Sequence, residues 1–235
     1  MHNQIGDLAQ TTAPTRLPLP SSALRRPAMK SPISVRGFLV AKLPSAPEGR
    51  QIFFESGLER NFILLTLARQ DVVNVEEQSV SLRYTDCRGR LAKYTVDFLV
   101  TLADGKKIAV EVKPAHRAQD PALIEKLSAV EAMLVPEHAD EFRLFTDAQY
   151  SPWQAANAGM LHEARKAPDS AADALLEAAI RTLQGTVSIA DLHRLTGPGS
   201  RAHGAILRAI GNGKLALVSP GIIAPHSFLK PGGAV

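Results

Sequence analysis

The sequence predicts an α/β chain. A mixed sheet flanked by helices is laid out as helix, three strands, helix, strand, and a small unit of three helices and a hairpin follows. Three observations predict this. Residues 93–113, KYTVDFLVTLADGKKIAVEVK, alternate with period two on either side of Asp104-Gly105, the pattern of a strand pair joined by a tight turn. Residues 56–68 and the stretch after Asp120-Pro121 instead carry apolar residues at helical spacing. After Tyr150 the composition changes: alanine becomes abundant, and Pro152, Pro168, Gly197, Pro198 and Gly199 punctuate the chain.

Residues 1–32 lack periodicity and are expected to form a basic, disordered arm. Arg25, Arg26, Lys30 and Arg36 are candidates there for tracking nucleic-acid phosphates, with a solubilising tail as the equal alternative. The helix over 56–68 presents Leu58, Phe62 and Leu65, and Ser56-Gly57-Leu58-Glu59 fits a capping box in which Glu59 reaches back to the N-cap amide. A strand over 78–84 follows. A turn over 86–90 leads into one long strand that contains Asp97, and the Glu111 strand ends at Lys113-Pro114. These three strands are expected to form an antiparallel meander. Asp120-Pro121 opens a helix with Leu123, Ile124, Leu127, Val130 and Leu134 facing the core, which returns the chain to a fourth strand at 142–145. In residues 155–235, helices are expected at 171–183, 188–196 and 201–210. The last of these should turn Ile206 and Ile210 inward and Arg201, His203 and Arg208 outward. Gly211-Asn212-Gly213 then opens a hairpin. Three helices and a hairpin make the layout of a winged-helix module, which binds DNA in many proteins and protein in others.

The 235 residues carry a net charge of +4, unevenly spread. Residues 1–50 hold seven Lys/Arg against two acids, 51–150 twelve against sixteen, and 151–235 eight against five. Basic flanks around an acidic middle suit ends that hold a polyanion and a centre that holds cations. Cys87 is the single cysteine, which excludes an internal disulfide and a cysteine-rich zinc site. No apolar run reaches the length of a membrane span, and the N-terminal prolines break any transit helix, so a soluble intracellular protein is expected.

The chemistry concentrates at Asp97, Glu111 and Lys113. Phosphodiester hydrolysis needs a divalent cation, and Mg²⁺ takes oxygen ligands, one or two of them carboxylates. Asp97 and Glu111 supply carboxylates, the Val112 carbonyl is a third candidate ligand, and Lys113 points to the face of Glu111. That arrangement reads as a Mg²⁺-dependent DNA endonuclease. It carries a geometric condition. A two-residue Asp104-Gly105 loop would place Asp97 opposite Val112 and dissolve the site. A three-residue loop, with Leu102 opposite Lys106 and Gly105 at positive φ, places it opposite Glu111. No histidine spacing suits zinc, and no Gly-rich phosphate loop follows a strand.

The runs ESGLERNFILLTLARQDVVNVEEQ, YTVDFLV and VEVKPAHRAQD resemble the N-terminal domain of TnsA-type endonucleases of heteromeric transposases over about residues 33–150. The resemblance implies a restriction-endonuclease-like fold of the PD-(D/E)xK class, often followed by a winged-helix domain. It assigns Glu59 as the helix acid, Asp97 as the metal-ligand acid, Glu111 as the residue before the x-Lys step, and Lys113 as the lysine. Glu59 thereby joins Asp97, Glu111 and the Val112 carbonyl as an expected metal ligand. The proline usual before the aspartate is Val96 here. The resemblance further implies Mg²⁺, with Mn²⁺ able to substitute, and cutting of the non-transferred strand at the 5′ ends of the element. It implies double-stranded DNA, a TnsB-like transposase and a TnsC-like AAA+ regulator as partners, in the bacterial cytoplasm and on the nucleoid. A free-standing restriction or repair nuclease and a non-catalytic DNA-binding scaffold are the competing readings.

Overall fold

The computed structural model describes residues 17–25, 35–86, 88–197 and 199–232. Its centre is a four-stranded mixed sheet made of β3 (Val72–Glu77), β6 (Phe98–Leu102), β7 (Lys107–Val112) and β8 (Glu141–Phe145), in that order. β6 runs antiparallel to both β3 and β7, and β8 lies parallel to β7. The parallel step follows from the crossover through α2 (Ala115–Ala118) and α3 (Pro121–Leu134). α3 starts where the sequence places it: Pro121 has no amide to lose, and the Asp120 side chain accepts from Ala122 N at 3.0 Å.

Alternation gives the sheet two buried faces. Phe98, Val100, Ile108, Val110 and Val112 pack with Phe62, Ile63 and Leu67 of α1 (Gly57–Leu67). Leu99 and Ala109 face the other way, onto Leu123, Leu127 and Val130 of α3. The first face is completed by a hairpin of β1 (Gly37–Leu43) and β2 (Ala46–Phe54), which the sequence reading did not anticipate. Gly49 sits at φ +96° inside β2, where a side chain would be strained.

The expected meander needs correction. The segment at 78–84 is not an edge of the main sheet. It yields β4 (Ser81–Thr85), which pairs only with β5 (Leu91–Thr95), and its expected place is taken by β3. The long strand is likewise broken. β3 and β6 stay in register to Glu77↔Phe98, and β4 and β5 resume at Ser81↔Thr95, so residues 78–80 oppose only 96–97. This one-residue excess is a bulge, with Gln78 at φ +46°. Gln78 N donates to Asp97 O at 2.9 Å and Val96 N to Val80 O at 3.0 Å, so the broken ladder leaves both groups satisfied.

Part of the arm expected to be disordered is also ordered. Residues 17–25 form a strap on β2: Leu19 N donates to Gly49 O at 2.7 Å, and Gln51 N to Leu19 O at 3.0 Å.

α4 (Pro152–Lys166), absent from the sequence reading, links the sheet to the C-terminal residues. Its Arg165 donates to Leu67 O at the end of α1 and to Gly211 O at the end of α7, the latter at 2.9 Å. Beyond it come α5 (Ser170–Thr182), β9 (Val187–Ser188), α6 (Ile189–Thr196), α7 (Ser200–Gly211), β10 (Leu215–Leu217) and β11 (Phe228–Pro231). The three expected helices are found. Their strands form a separate sheet in the order β10-β11-β9 over a core of Leu176, Ile189, Leu192, Ile206, Leu215 and Leu229. No helix among the described residues is long and apolar enough to cross a membrane.

One expectation about α7 is overturned. Arg208 is not outward but only 8% exposed. It donates to both oxygens of Asp173 on α5, at 2.7 to 3.2 Å, and to Ala167 O after α4 at 2.7 Å. α7 packs against α4, α5, α6 and β10, and Arg208 lies on the side enclosed by α4 and α5, so Arg208 is withdrawn as a DNA contact. Arg208→Ala is expected to cost about 3 kcal/mol in urea unfolding, because Asp173 and the α4 carbonyls lose their donor together.

Candidate active site

The hairpin loop decides where Asp97 lies. Leu102 N donates to Lys106 O at 2.9 Å, Gly105 N to Leu102 O at 3.0 Å, and Gly105 has φ +87°. The loop is therefore the three residues Ala103-Asp104-Gly105, with Lys106 N bonded to Asp104 Oδ1 at 2.9 Å. The register runs Thr101↔Lys107 through Phe98↔Val110, which sets Asp97 opposite Glu111. The geometric condition for the site is met.

The resulting contacts are tight. Lys113 Nζ lies 2.6 Å from Glu111 Oε1, 3.3 Å from Asp97 Oδ2 and 3.1 Å from Val112 O. Val112 N donates to Asp97 Oδ2 at 2.9 Å, which fixes that carboxylate from the neighbouring strand. Burial, followed by the charge of Glu111, pushes Asp97 up to about 7, although Lys113 and the Val112 amide pull the other way. Burial alone would lower Lys113, but the Asp97 and Glu111 carboxylates together hold its ammonium above the ordinary lysine value. Asp97 is thus easily protonated, and Lys113 is firmly charged.

Tyr94 is the member that sequence reasoning missed. Its hydroxyl donates to Glu111 Oε2, and its own ionisation is pushed up by burial and then by the charge of Glu111, so it stays a donor. Lys126 Nζ lies 4.8 Å above its ring. In the sequence Tyr94 is simply an apolar position of a buried strand face. Nothing local distinguishes a tyrosine that holds a carboxylate from one that fills space.

Glu59 is placed differently. Its Oε2 accepts from Glu55 N at 2.8 Å and its Oε1 from Ser56 Oγ at 3.0 Å, while Glu59 N donates to Ser56 Oγ at 3.1 Å. Ser56 therefore caps the helix, but the Glu59 carboxylate reaches past the N-cap amide expected from the sequence to the amide of Glu55, one residue earlier. Burial raises its pKa, and the charge of Asp97 raises it further, so Glu59 also lies within the field of the site. Among the described residues no three His, Cys, Asp or Glu side chains gather as a metal cluster. The structure brings Asp97, Glu111, Val112 and Lys113 together and leaves Glu59 on its cap.

These residues nonetheless fit a cation. The three oxygens expected as ligands, on Asp97, Glu111 and Val112, converge on one positive centre, the Lys113 ammonium. An all-oxygen donor set suits a hard divalent ion such as Mg²⁺.

Glu59→Gln tests the double placement of Glu59. Glutamine keeps a hydrogen bond to the Glu55 amide, so the melting temperature is expected to stay near that of the unaltered chain. A strong loss of cleavage at unchanged melting temperature assigns Glu59 to the cation; unchanged cleavage leaves it a cap.

The basic candidates fall into three groups. Arg25 pairs with Glu55 at 3.0 Å, Arg201 with Asp169 at 2.6 Å, and both remain largely exposed. Arg36 is half-buried at the entry to β1, and Arg208 is internal. Arg26 and Lys30 lie outside the described residues.

Residues 69–147, about a third of the chain, match the family model of the TnsA-like endonuclease N-terminal domain. The match contains Asp97, Glu111, Val112 and Lys113, with Glu59 N-terminal to it. No curated protein matches the chain.

Proposed function

We propose, from the match of residues 69–147 to the family model of the TnsA-like endonuclease N-terminal domain, that this protein is the DNA-cutting subunit of a heteromeric transposase. In this reading it is Mg²⁺-dependent and hydrolyses the non-transferred strand at the 5′ ends of a transposon. The observation that carries the reading is the convergence of Asp97 Oδ2, Glu111 Oε1 and the Val112 carbonyl on one cationic position, held in this structure by the Lys113 ammonium.

A divalent cation held by Asp97, Glu111 and the Val112 carbonyl, with Glu59 as an outer carboxylate, would neutralise phosphate charge and supply hydroxide near neutral pH. The chain's own residues do the rest. Asp97 is held by the Val112 amide and Glu111 by the Tyr94 hydroxyl, so neither carboxylate has to be ordered when DNA arrives. Lys113 keeps its proton, orients the attacking water and faces the negative charge that develops on the phosphate oxygens.

The order helix, short strand, two helices and two strands, closed by the β10-β11-β9 sheet, supports a winged-helix module in the C-terminal residues. Its exposed Arg201 is the surviving candidate there for contact with DNA or a partner. The proposed partners are double-stranded transposon ends, a TnsB-like transposase and a TnsC-like AAA+ regulator.

The deciding experiment reconstitutes the complete transposase set on transposon-end DNA and scores each strand separately. Mg²⁺ or Mn²⁺ is expected to support 5′-strand cutting and Ca²⁺ to support binding alone. Wild-type protein that leaves the 5′ strands intact under Mg²⁺ would refute the reading.

A further inference from the structure

The strap over residues 17–25 is tied down at Glu77, Gln78 and Glu55. Ser21 Oγ and Ser22 Oγ donate to the two oxygens of Glu77, the latter at 3.0 Å, and Glu77 also accepts from Phe53 N at 3.1 Å. Glu77 is only 2% exposed. A carboxylate taken that far from water is tolerated only with a full set of donors, and two of its three come from the strap. Next along, Leu24 N donates to Gln78 O at 3.1 Å, and Gln78 N donates to the carbonyl of Asp97. The strap then ends on Arg25, which grips Glu55 at two points, Nη1 to Oε1 at 3.0 Å and Nη2 to Oε2 at 3.2 Å. Glu55 N is the donor that holds the Glu59 carboxylate at 2.8 Å.

A buried carboxylate thus holds the strap that sets one arginine on Glu55, the residue whose amide holds the Glu59 carboxylate. That arginine stays 58% exposed. An exposed ion pair contributes little, so the guanidinium exchanges partners readily. Phosphate accepts a guanidinium through the same two-point geometry as a carboxylate. We propose that Arg25 is a DNA-backbone clamp, parked on Glu55 when DNA is absent and transferred to a phosphate flanking the cut site when DNA binds. This rests on the endonuclease reading and adds to it the residue that aligns the strand.

The test uses the full-length chain and a short fluorescent duplex, with Ca²⁺ replacing Mg²⁺, and follows affinity against salt concentration alongside thermal melting. Arg25→Ala is expected to weaken binding about tenfold and to lower the slope of log affinity against log salt by about 1, the signature of one lost phosphate contact, at unchanged melting temperature. Arg25→Lys should keep the slope, because the charge remains. The Ser21→Ala, Ser22→Ala double variant should move affinity in the direction of Arg25→Ala, because the strap is untethered. With the complete transposase set and Mg²⁺, Arg25→Ala should raise the DNA concentration for half-maximal rate. An unchanged salt slope, a loss of affinity that merely follows loss of melting temperature, or faster cutting by Arg25→Ala (which would make the pair a brake) each overturns the clamp. Wild-type cutting with no slope change refutes the clamp alone; a slope change without wild-type cutting refutes the endonuclease alone.

Discussion

Asp97→Ala should abolish 5′-strand cutting in the reconstituted transposase, a fall on the order of a thousandfold or more, and leave DNA affinity within about twofold. The asymmetry follows from what the carboxylate touches. Asp97 meets the Val112 amide and the Lys113 ammonium, both internal, whereas affinity for DNA comes from Lys and Arg at phosphates. Calorimetry should show a second consequence. Because Asp97 is raised to about 7, a proton occupies it below neutral pH, and a cation must displace that proton. Mg²⁺ affinity is therefore expected to fall as pH drops through about 7, with proton release on binding, and Asp97→Ala should remove both effects. Wild-type cutting by Asp97→Ala would end the nuclease reading.

Lys113→Ala should lower cutting by about a hundred- to a thousandfold, the usual cost of removing one donor aimed at developing negative charge. Lys107, the next cation back along β7, is about 20 Å away along an extended strand and cannot substitute. The two variants separate in the cation titration. Asp97→Ala loses a ligand and should bind Mg²⁺ weakly. Lys113→Ala removes the ammonium that occupies the space between Asp97, Glu111 and the Val112 carbonyl, so its Mg²⁺ affinity should hold or rise while its cutting fails. Equal loss of cation binding in both variants would assign Lys113 a merely structural part.

Most of the site was legible because its determinants are local. Ser56 and Glu59 are three residues apart, Asp120-Pro121 is a dipeptide, and the loop at Asp104-Gly105 sets the pairing of strands that adjoin it. What escaped depends on partners far along the chain. β3 was missed because VVNVEEQ alternates weakly and becomes a strand only by pairing with β6. The hairpin of β1 and β2 carries two prolines and a glycine in its turn region, and its strands are fixed by burial of Ile52 and Phe54 against α1 and the sheet. α4 has a readable start in Ser151-Pro152 with Gln154 closing a capping box, but its polar face hid the periodicity. The strap at 17–25 has no pattern of its own; it is ordered by Glu77, more than fifty residues later. Arg208 reads as surface until its side of α7 is seen to be enclosed.

The three-residue loop has a consequence for how such a site can be inherited. An alternating ribbon has only two phases, and one added or lost residue exchanges them. The loop sets the phase for β6 and β7, and the extra residue in 78–80, opposite 96–97, resets it between β3 and β4, so the face of the candidate site is a matter of parity. Residues 103–105 touch neither Asp97 nor Glu111, yet their number determines whether those two meet. In this region the active centre is written in lengths as much as in letters. Two chains sharing every catalytic residue, but differing by one in that loop, would look alike in a gapped alignment and differ in whether the carboxylates ever share a face.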